Sequence, residues 1–312
     1  MLKAYRRALA AALAGLIAAA AVAMGLAGGA SAEVRVVVSI KPLHGLVAAV
    51  MAGTGEPHLI VEGGNSPHTF ALKPSDAAAL QDADVVFWMG DGLEGFLARP
   101  LEALAGGARL VALAQAPGLV RYAVRQGGPW VPDSDEGEAG GTADMHMWLD
   151  PVNAAAMAEA IAAALGAADG ANAGLYGANT QRLKDRLAAL TAEMEAALAP
   201  VKGRPFIVFH DGYQYLEKRF GLNAAGSITI NPEVAPGAKR VAEIRARMLD
   251  LGVACIFAEP QFAPAIIAAV AEGTGARSAI LDPLGADLPK GPDLYIDLMR
   301  RNLTALVGCL GG

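Results

Sequence analysis

The stretch VRVVVSI at residues 34–40, followed closely by the helix-like LHGLVAAVMAG at residues 43–53, decides the fold. β-Branched residues favour strands, so the first run predicts a strand that leads directly into a helix. Short apolar runs alternate with helix-like stretches along the rest of the chain in the same way. This alternation predicts parallel sheets that are covered by helices on both faces.

The strand-like runs fall into two sets. After residues 34–40, the first set continues at residues 58–62, 85–89 and 110–113. The second set, after a break, comprises residues 206–209, 227–230, 254–258 and 279–281. Because strands of parallel sheets read as continuous apolar runs, we expect an α/β protein with two α/β lobes of similar size and mostly parallel sheets.

A long helix is predicted between the two sets. Apolar residues recur every three or four positions, at Leu183, Leu187, Leu190, Met194 and Leu198, which marks one face of a helix. A helix is stiffer than a flexible linker, so we interpret it as a rigid connector; the alternative is a surface helix of a single domain. The expected divisions are a first lobe at 33–170, a connecting helix at 171–200 and a second lobe at 201–312.

Residues 1–32 have the layout of a secretory signal peptide. Residues 1–7, MLKAYRR, are basic, and an uncharged apolar run then extends to the small-residue site Ala30-Ser31-Ala32. We expect export to the periplasm with cleavage after Ala32. A membrane anchor is the alternative, since the run approaches the ~20 residues of a span. No later uninterrupted apolar run of that length is expected, so the cleaved protein should not span a membrane.

Composition excludes other classes of protein. Of the 312 residues, 54% are hydrophobic, which excludes a disordered chain. The formal charge of −6 argues against nucleic acid as a partner, because phosphate binding needs a basic excess. The even number of cysteines, Cys255 and Cys309, favours a disulfide in an exported chain over two unrelated thiols.

Three of the five histidines, His68, His146 and His210, lie in loop-like settings. Ligands of α/β sheets bind beyond the carboxyl ends of strands, so a cleft between the lobes would bring these side chains together. Three imidazoles suit zinc and leave one tetrahedral position. Asp282 is the first candidate for that position and Glu259 the second. The spacings between these residues match no compact metal motif.

Several segments resemble the zinc/manganese substrate-binding proteins of ABC uptake transporters, especially the zinc-uptake members. They are SIKPLH, PHTFALKPSDAAALQDADVVFWMGDGLE, MHMWLDP, FHDGYQYLEKRFGL, INPEVAPGAKRVAEIR, CIFAEPQF and LDPLG. The resemblance covers nearly all of the chain after residue 32. It implies two lobes joined by a long rigid helix, with a metal ion held in the cleft and delivered to a membrane permease.

The resemblance also carries the family's metal ligands onto this chain. The three family histidines fall on His68, His146 and His210, and the aspartate of Asp-Pro-Leu-Gly falls on Asp282. Manganese and iron members commonly have a glutamate at the third position, so His210 favours zinc. Pro67 excludes the family's alternative of a glutamate before the first histidine, while a water remains an alternative fourth ligand.

The resemblance bears on two further features of the chain, its cysteines and the loop before His146. The family's paired cysteines fall on Cys255 and Cys309. Many zinc members carry a His-rich loop before the second ligand, whereas residues 127–143 here read GGPWVPDSDEGEAGGTA. We expect an exposed, mobile acidic loop there, which suits at most weak attraction of cations.

The expected function is capture of Zn²⁺ by a monomeric, non-enzymatic protein and its delivery to an ABC importer. A manganese- or iron-binding member of the same family is one alternative. A zinc hydrolase, with Glu259 as the base and a water on the metal, is another. The absence of HExxH and GxSxG motifs disfavours the hydrolase.

Overall fold

The structure is a computed structural model that describes residues 33–126, 128–130, 143–229, 232, 235–262 and 265–312. The signal peptide predicted at residues 1–32 and most of the predicted acidic loop lie outside these residues. Within the described chain, Val34–Gly312 forms one structural unit.

The first lobe is built on a parallel sheet with the strand order β2-β1-β3-β4. Its strands are β1 (Val36–Ile40), β2 (His58–Val61), β3 (Val85–Trp88) and β4 (Arg109–Ala112). Its helices are α1 (Lys41–Val50), α2 (Pro74–Asp82), α3 (Gly95–Leu104) and α4 (Pro151–Ala168). Every residue of β1 is buried, as expected for a central parallel strand covered on both faces.

The second lobe repeats this arrangement with the strand order β6-β5-β7-β8. Its strands are β5 (Pro205–His210), β6 (Asn223–Thr229), β7 (Cys255–Ala258) and β8 (Arg277–Ile280). Its helices are α6 (Gln214–Phe220), α7 (Ala238–Leu251), α8 (Ala265–Ala271) and α9 (Leu294–Gly311). The predicted fold class, two parallel-sheet α/β lobes, is confirmed.

The joining helix α5 spans Ala173–Leu198. The residues that predicted its apolar face are all buried: Leu183, Leu187, Leu190, Met194 and Leu198. The helix packs against α4 and α9, and α9 also packs against α1 of the first lobe. The joining helix is therefore part of the core that both lobes share. The exact divisions at residues 33–170, 171–200 and 201–312 stay predictions.

Short 3₁₀ turns complete the described elements, at Leu113–Gln115, Gly128–Trp130, Met147–Leu149, Gly170–Asn172 and Ala199–Val201. They lie in the connections outside the two sheets, and Met147–Leu149 directly follows one of the histidines of interest.

Helix α4 is long and apolar enough, by length and composition only, to cross a membrane. It is not an uninterrupted apolar run, because Asn153 and Glu159 lie within it. Its buried residues include Met157, Ile161 and Leu165, and it packs against α1 and α5. An alanine-rich helix between two other helices meets the same criterion because it is apolar on most faces.

A disulfide joins Cys255 of β7 to Cys309 of α9, with a Cα–Cα distance of 6.1 Å. Arg277 of β8 donates a hydrogen bond to the carbonyl of Cys309. The bond and this contact attach the last turn of the C-terminal helix to two strands of the second sheet.

His44, on the buried face of α1, makes the stability of the protein depend on pH. Its Nε2 lies 3.2 Å from the carbonyl oxygen of Pro57, and burial lowers the pKa of the imidazole to about 4. Because this pKa lies below the unfolded value of about 6.5, the unfolded chain binds more protons between these values. Stability therefore falls as the pH falls through that window.

We expect His44→Gln to remove this pH dependence. Between pH 7.5 and pH 5, the wild type should lose on the order of 2 kcal/mol more unfolding free energy than the variant. Urea unfolding of the metal-free proteins at both pH values measures the difference. Equal losses in the two proteins would contradict the assignment to His44.

Candidate metal centre

Three histidine side chains meet beyond the carboxyl ends of the strands. His68 lies in the connection after β2, His146 precedes the Met147–Leu149 turn, and His210 is the last residue of β5. One ring nitrogen of each lies within 4.8 Å of the other two. The ring centroids of His146 and His210 are 5.0 Å apart. The ring centroid of His68 lies 5.9 Å from that of His146 and 5.8 Å from that of His210. The sequence therefore located the histidines that the fold brings together.

Asp144 holds the ring of His146. Its Oδ1 accepts hydrogen bonds from the backbone N–H of His146 at 3.0 Å and from Nδ1 at 2.9 Å. Burial raises the pKa of Asp144, but the hydrogen bond and charge of His146 outweigh it and leave the pKa below its usual range. An ionised carboxylate only accepts hydrogen bonds. Nδ1 of His146 therefore carries a proton, and Nε2 faces His210.

Glu259, which follows β7, holds His210 in the same way. Its Oε1 lies 2.7 Å from His210 Nδ1, while its Oε2 is buried without a hydrogen-bond partner among the described residues. Burial lowers the pKa of His210, but the charge and hydrogen bond of Glu259 outweigh it and raise the pKa overall. Carboxylate–histidine pairs of this kind fix the ring orientation of metal-binding histidines.

The two fixed rings point their remaining nitrogens at each other. His146 Nε2 and His210 Nε2 are 3.1 Å apart, so a proton on one of them makes a hydrogen bond to the other in the metal-free protein. Release of that proton leaves a lone pair on each nitrogen for a metal. Two nitrogens bound tetrahedrally to zinc at about 2.05 Å would be about 3.3 Å apart. The spacing of these nitrogens therefore fits a shared zinc ion.

His68 completes the group without a supporting side chain. Its ring makes no hydrogen bond within the described part of the chain, and its backbone N–H donates to Ser66 Oγ at 3.2 Å. Burial, and then the neighbouring His146 and His210, hold its pKa well below the usual value. Its ring is therefore neutral at neutral pH and offers a lone pair.

The structure does not bring Asp282 into this group of ligand atoms. Its Oδ1 accepts hydrogen bonds from Leu284 N and Gln261 Nε2, both at 2.9 Å, and its Oδ2 accepts from Ala286 N at 2.6 Å. The carboxylate is buried in its own loop and holds the shape of that loop. The histidine group is the one set of three or more potential metal ligands in the described ranges.

The walls of the site are largely apolar. The cavity in front of the histidines is also lined by Ser66, Pro67, Trp148, Glu259, Gln261, Phe262, Pro283 and Leu284. Trp148 Nε1 donates to the carbonyl of Pro283 at 2.8 Å, which ties the first lobe to the second at the edge of the site. Apolar walls strengthen the attraction between a cation and its ligands because they keep the local dielectric constant low.

The supporting role of two carboxylates was not recognised from the sequence. Asp144 directly follows the predicted acidic loop, and its position two residues before His146 is the one sequence signal for a carboxylate–histidine pair. The sequence suggests Glu259 only as a ligand or a base. Its contact with His210 joins residues 49 positions apart, and no local pattern indicates it.

Comparisons with known proteins agree with this arrangement. The family model described as "Zinc-uptake complex component A periplasmic" matches residues 36–309. The high-affinity zinc uptake system protein ZnuA of Brucella abortus (strain 2308) is 45% identical in an alignment 304 residues long that covers 88% of this chain and 91% of that protein. The protein of the same name from Yersinia pestis is 36% identical over 295 residues, with 89% and 92% covered.

Solved structures of related proteins have the same fold. A crystal structure of ZnuA superimposes with a TM-score of 0.75 at 25% identity, over 89% of this chain and 99% of that one. The laminin-binding protein of Streptococcus agalactiae, described as bifunctional with adhesin and metal transporting activity, gives 0.75 at 29% identity with the same coverage.

The two lobes and the histidine group between them define a solute-binding protein of the metal-binding class. The extent of the family match then identifies the group within that class. The chain belongs to the family of the periplasmic component A of zinc-uptake complexes.

Proposed function

We propose that the protein binds Zn²⁺ through His68, His146 and His210 and delivers it to an ABC-type zinc importer. The main support is the pair of carboxylate-held rings whose Nε2 atoms face each other at 3.1 Å. Family membership supports zinc as the transported ion. All three nitrogen ligands favour zinc over manganese, which prefers oxygen ligands.

The fourth coordination position has two candidates. Asp282 stays a prediction, because its carboxylate lies outside the group of histidine ligand atoms and accepts hydrogen bonds from the amides of Leu284 and Ala286. A water is the other candidate, and the buried Oε2 of Glu259 could accept a hydrogen bond from it. The three histidines make up the proposed site in either case.

The remaining parts of the proposal concern location and partners. We propose export to the periplasm with cleavage after Ala32, a monomeric state, and the membrane permease of a zinc ABC transporter as the partner. A receptor that releases its ion to a permease catalyses no reaction, so we also propose that the protein is not an enzyme.

Glu259→Gln is expected to weaken zinc binding by about 10–100-fold. The amide keeps the shape of the carboxylate but lacks its negative charge. In the wild type, that charge stabilises the Nδ1–H of His210 and so makes His210 Nε2 a stronger electron-pair donor to the metal. Glu193→Gln is the control, because Glu193 pairs with Arg300 at the surface. Chelator competition measures both variants, and unchanged affinity in Glu259→Gln would contradict the role of this carboxylate.

Competitive titration of metal-free protein tests the proposed function. We expect one Zn²⁺ to bind per chain and to displace Mn²⁺ that was added first. Tighter binding of Mn²⁺ would favour the manganese alternative, and no binding of either ion would overturn the proposal.

A further inference from the structure

Arg125 lies in the connection between β4 and α4 and binds two carboxylates of the second lobe. Its Nε lies 2.8 Å and 3.0 Å from the two oxygens of Asp211, and its Nη2 also contacts Asp211 Oδ1. Its Nη1 and Nη2 donate to Glu217 at 2.6 Å and 3.0 Å. The Arg125 side chain is only 16% exposed, and the carboxylates are 9% and 7% exposed. One guanidinium therefore holds two buried anions at fixed positions.

Asp211 and Glu217 are each connected to one of the two histidines that a carboxylate orients, His210 and His146. Asp211 follows His210 directly in the chain, so its position fixes the end of β5. Glu217 lies on α6, and the same helix carries Gln214, which donates to Asp144 Oδ2 at 3.2 Å. Asp144 in turn holds the ring of His146. Arg125 thus contacts one residue connected to His210 and one residue connected to His146.

Trp130 restricts Arg125 from one face of the guanidinium. Its ring centroid lies 3.4 Å from the guanidinium carbon of Arg125, a stacking geometry that arginine adopts readily on aromatic faces. The planar group is therefore held by the ring on one face and by carboxylates at its edge. This arrangement needs a guanidinium, because an ammonium group offers neither the fork nor the flat face.

We propose that Arg125 is a positioning residue for the zinc site. By holding Asp211 and α6, Arg125 sets the distance between His146 and His210. The inference rests on the proposed zinc site. It assigns Arg125 a role through the carboxylates and no direct contact with the metal.

An effect of the Arg125 charge alone and a positioning role of Arg125 predict opposite changes in zinc affinity when the residue is substituted. Arg125 is a cation close to a site for a cation, so Coulomb repulsion alone would let zinc bind more tightly once its charge is removed. A positioning role predicts weaker binding after any substitution that loses the fork, including one that keeps the charge. Arg125→Lys and Arg125→Met therefore separate the two effects.

The test compares zinc affinity in these variants with a matched control. Arg121 lies in the same connection and donates to two carbonyls, those of Ala114 and Ala116, so Arg121→Lys reports any general effect of disturbing the segment. We expect the zinc dissociation constant to rise about tenfold in Arg125→Lys, the lower end of the range for residues behind the ligands. It should also rise in Arg125→Met and change less than about twofold in Arg121→Lys.

The visible absorption of Co²⁺-loaded protein gives a second readout, since it reports the geometry around the metal. We expect an altered cobalt spectrum in Arg125→Lys and a wild-type spectrum in Arg121→Lys. Wild-type zinc affinity and cobalt spectrum in Arg125→Lys, or tighter zinc binding in Arg125→Met, would overturn the inference. Failure of the wild-type protein to bind zinc would overturn the proposed function and this inference with it.

Discussion

His210→Ala is expected to raise the zinc dissociation constant by more than about 100-fold, because it removes a ligand, whereas changes behind a ligand cost about 10–100-fold. The substitution also leaves the buried Glu259 without the ring that its Oε1 contacts at 2.7 Å. We therefore expect lower stability as well as weaker binding. Chelator competition and thermal unfolding measure the two effects separately.

His68→Ala separates loss of a ligand from loss of stability. The ring of His68 makes no hydrogen bond among the described residues, so its removal should weaken zinc binding by a similar factor with little change in the metal-free unfolding temperature. His58→Ala is the control, since that side chain is 41% exposed and pairs with Asp76 away from the site. Wild-type zinc affinity in either ligand variant would remove that histidine from the site.

Loss of the disulfide is expected to give the largest change in stability. Cys255 and Cys309 are 54 positions apart, and the chain-entropy model gives a loop of that size about 4 kcal/mol. The double variant Cys255→Ser/Cys309→Ser should therefore unfold on the order of 5–10 °C below the oxidised wild type. Calorimetry of the metal-free proteins measures the shift.

Zinc affinity should stay nearly unchanged in this double variant although its stability falls. The disulfide joins β7 to the end of α9, and neither cysteine lines the site. We expect the double variant to bind zinc within a few-fold of the wild type at a temperature where both are folded. An unchanged unfolding temperature would contradict the stabilising role of the bond.

Most of the fold could be predicted because buried parallel strands are continuous apolar runs. The run at residues 34–40 predicted β1 almost to the residue, and the apolar face from Leu183 to Leu198 predicted α5. The beginning of β6 was missed: it starts at Asn223, whereas the prediction began at residue 227. Ala224, Ala225 and Gly226 have no β-branched or aromatic side chains, so only pairing with β5 places them in a strand.

The site could be predicted in part. The sequence placed His68, His146 and His210 near the carboxyl ends of strands, and the structure brings their nitrogens together. The contacts behind these histidines could not be derived, because Glu259 reaches His210, and Arg125 reaches Asp211, only through the tertiary structure. The hydrogen bonds of Asp282 to Leu284 and Ala286 are local in sequence, but they depend on the path of a loop that the motif Asp-Pro-Leu-Gly does not specify.

The central claim is that zinc binds between these three imidazoles. An anomalous difference map at the zinc absorption edge, from crystals of the zinc-loaded protein, tests it most directly. We predict one peak per chain, about 2.0–2.1 Å from one nitrogen each of His68, His146 and His210. A peak bound by fewer than three of these histidines, or located elsewhere on the chain, would contradict the account.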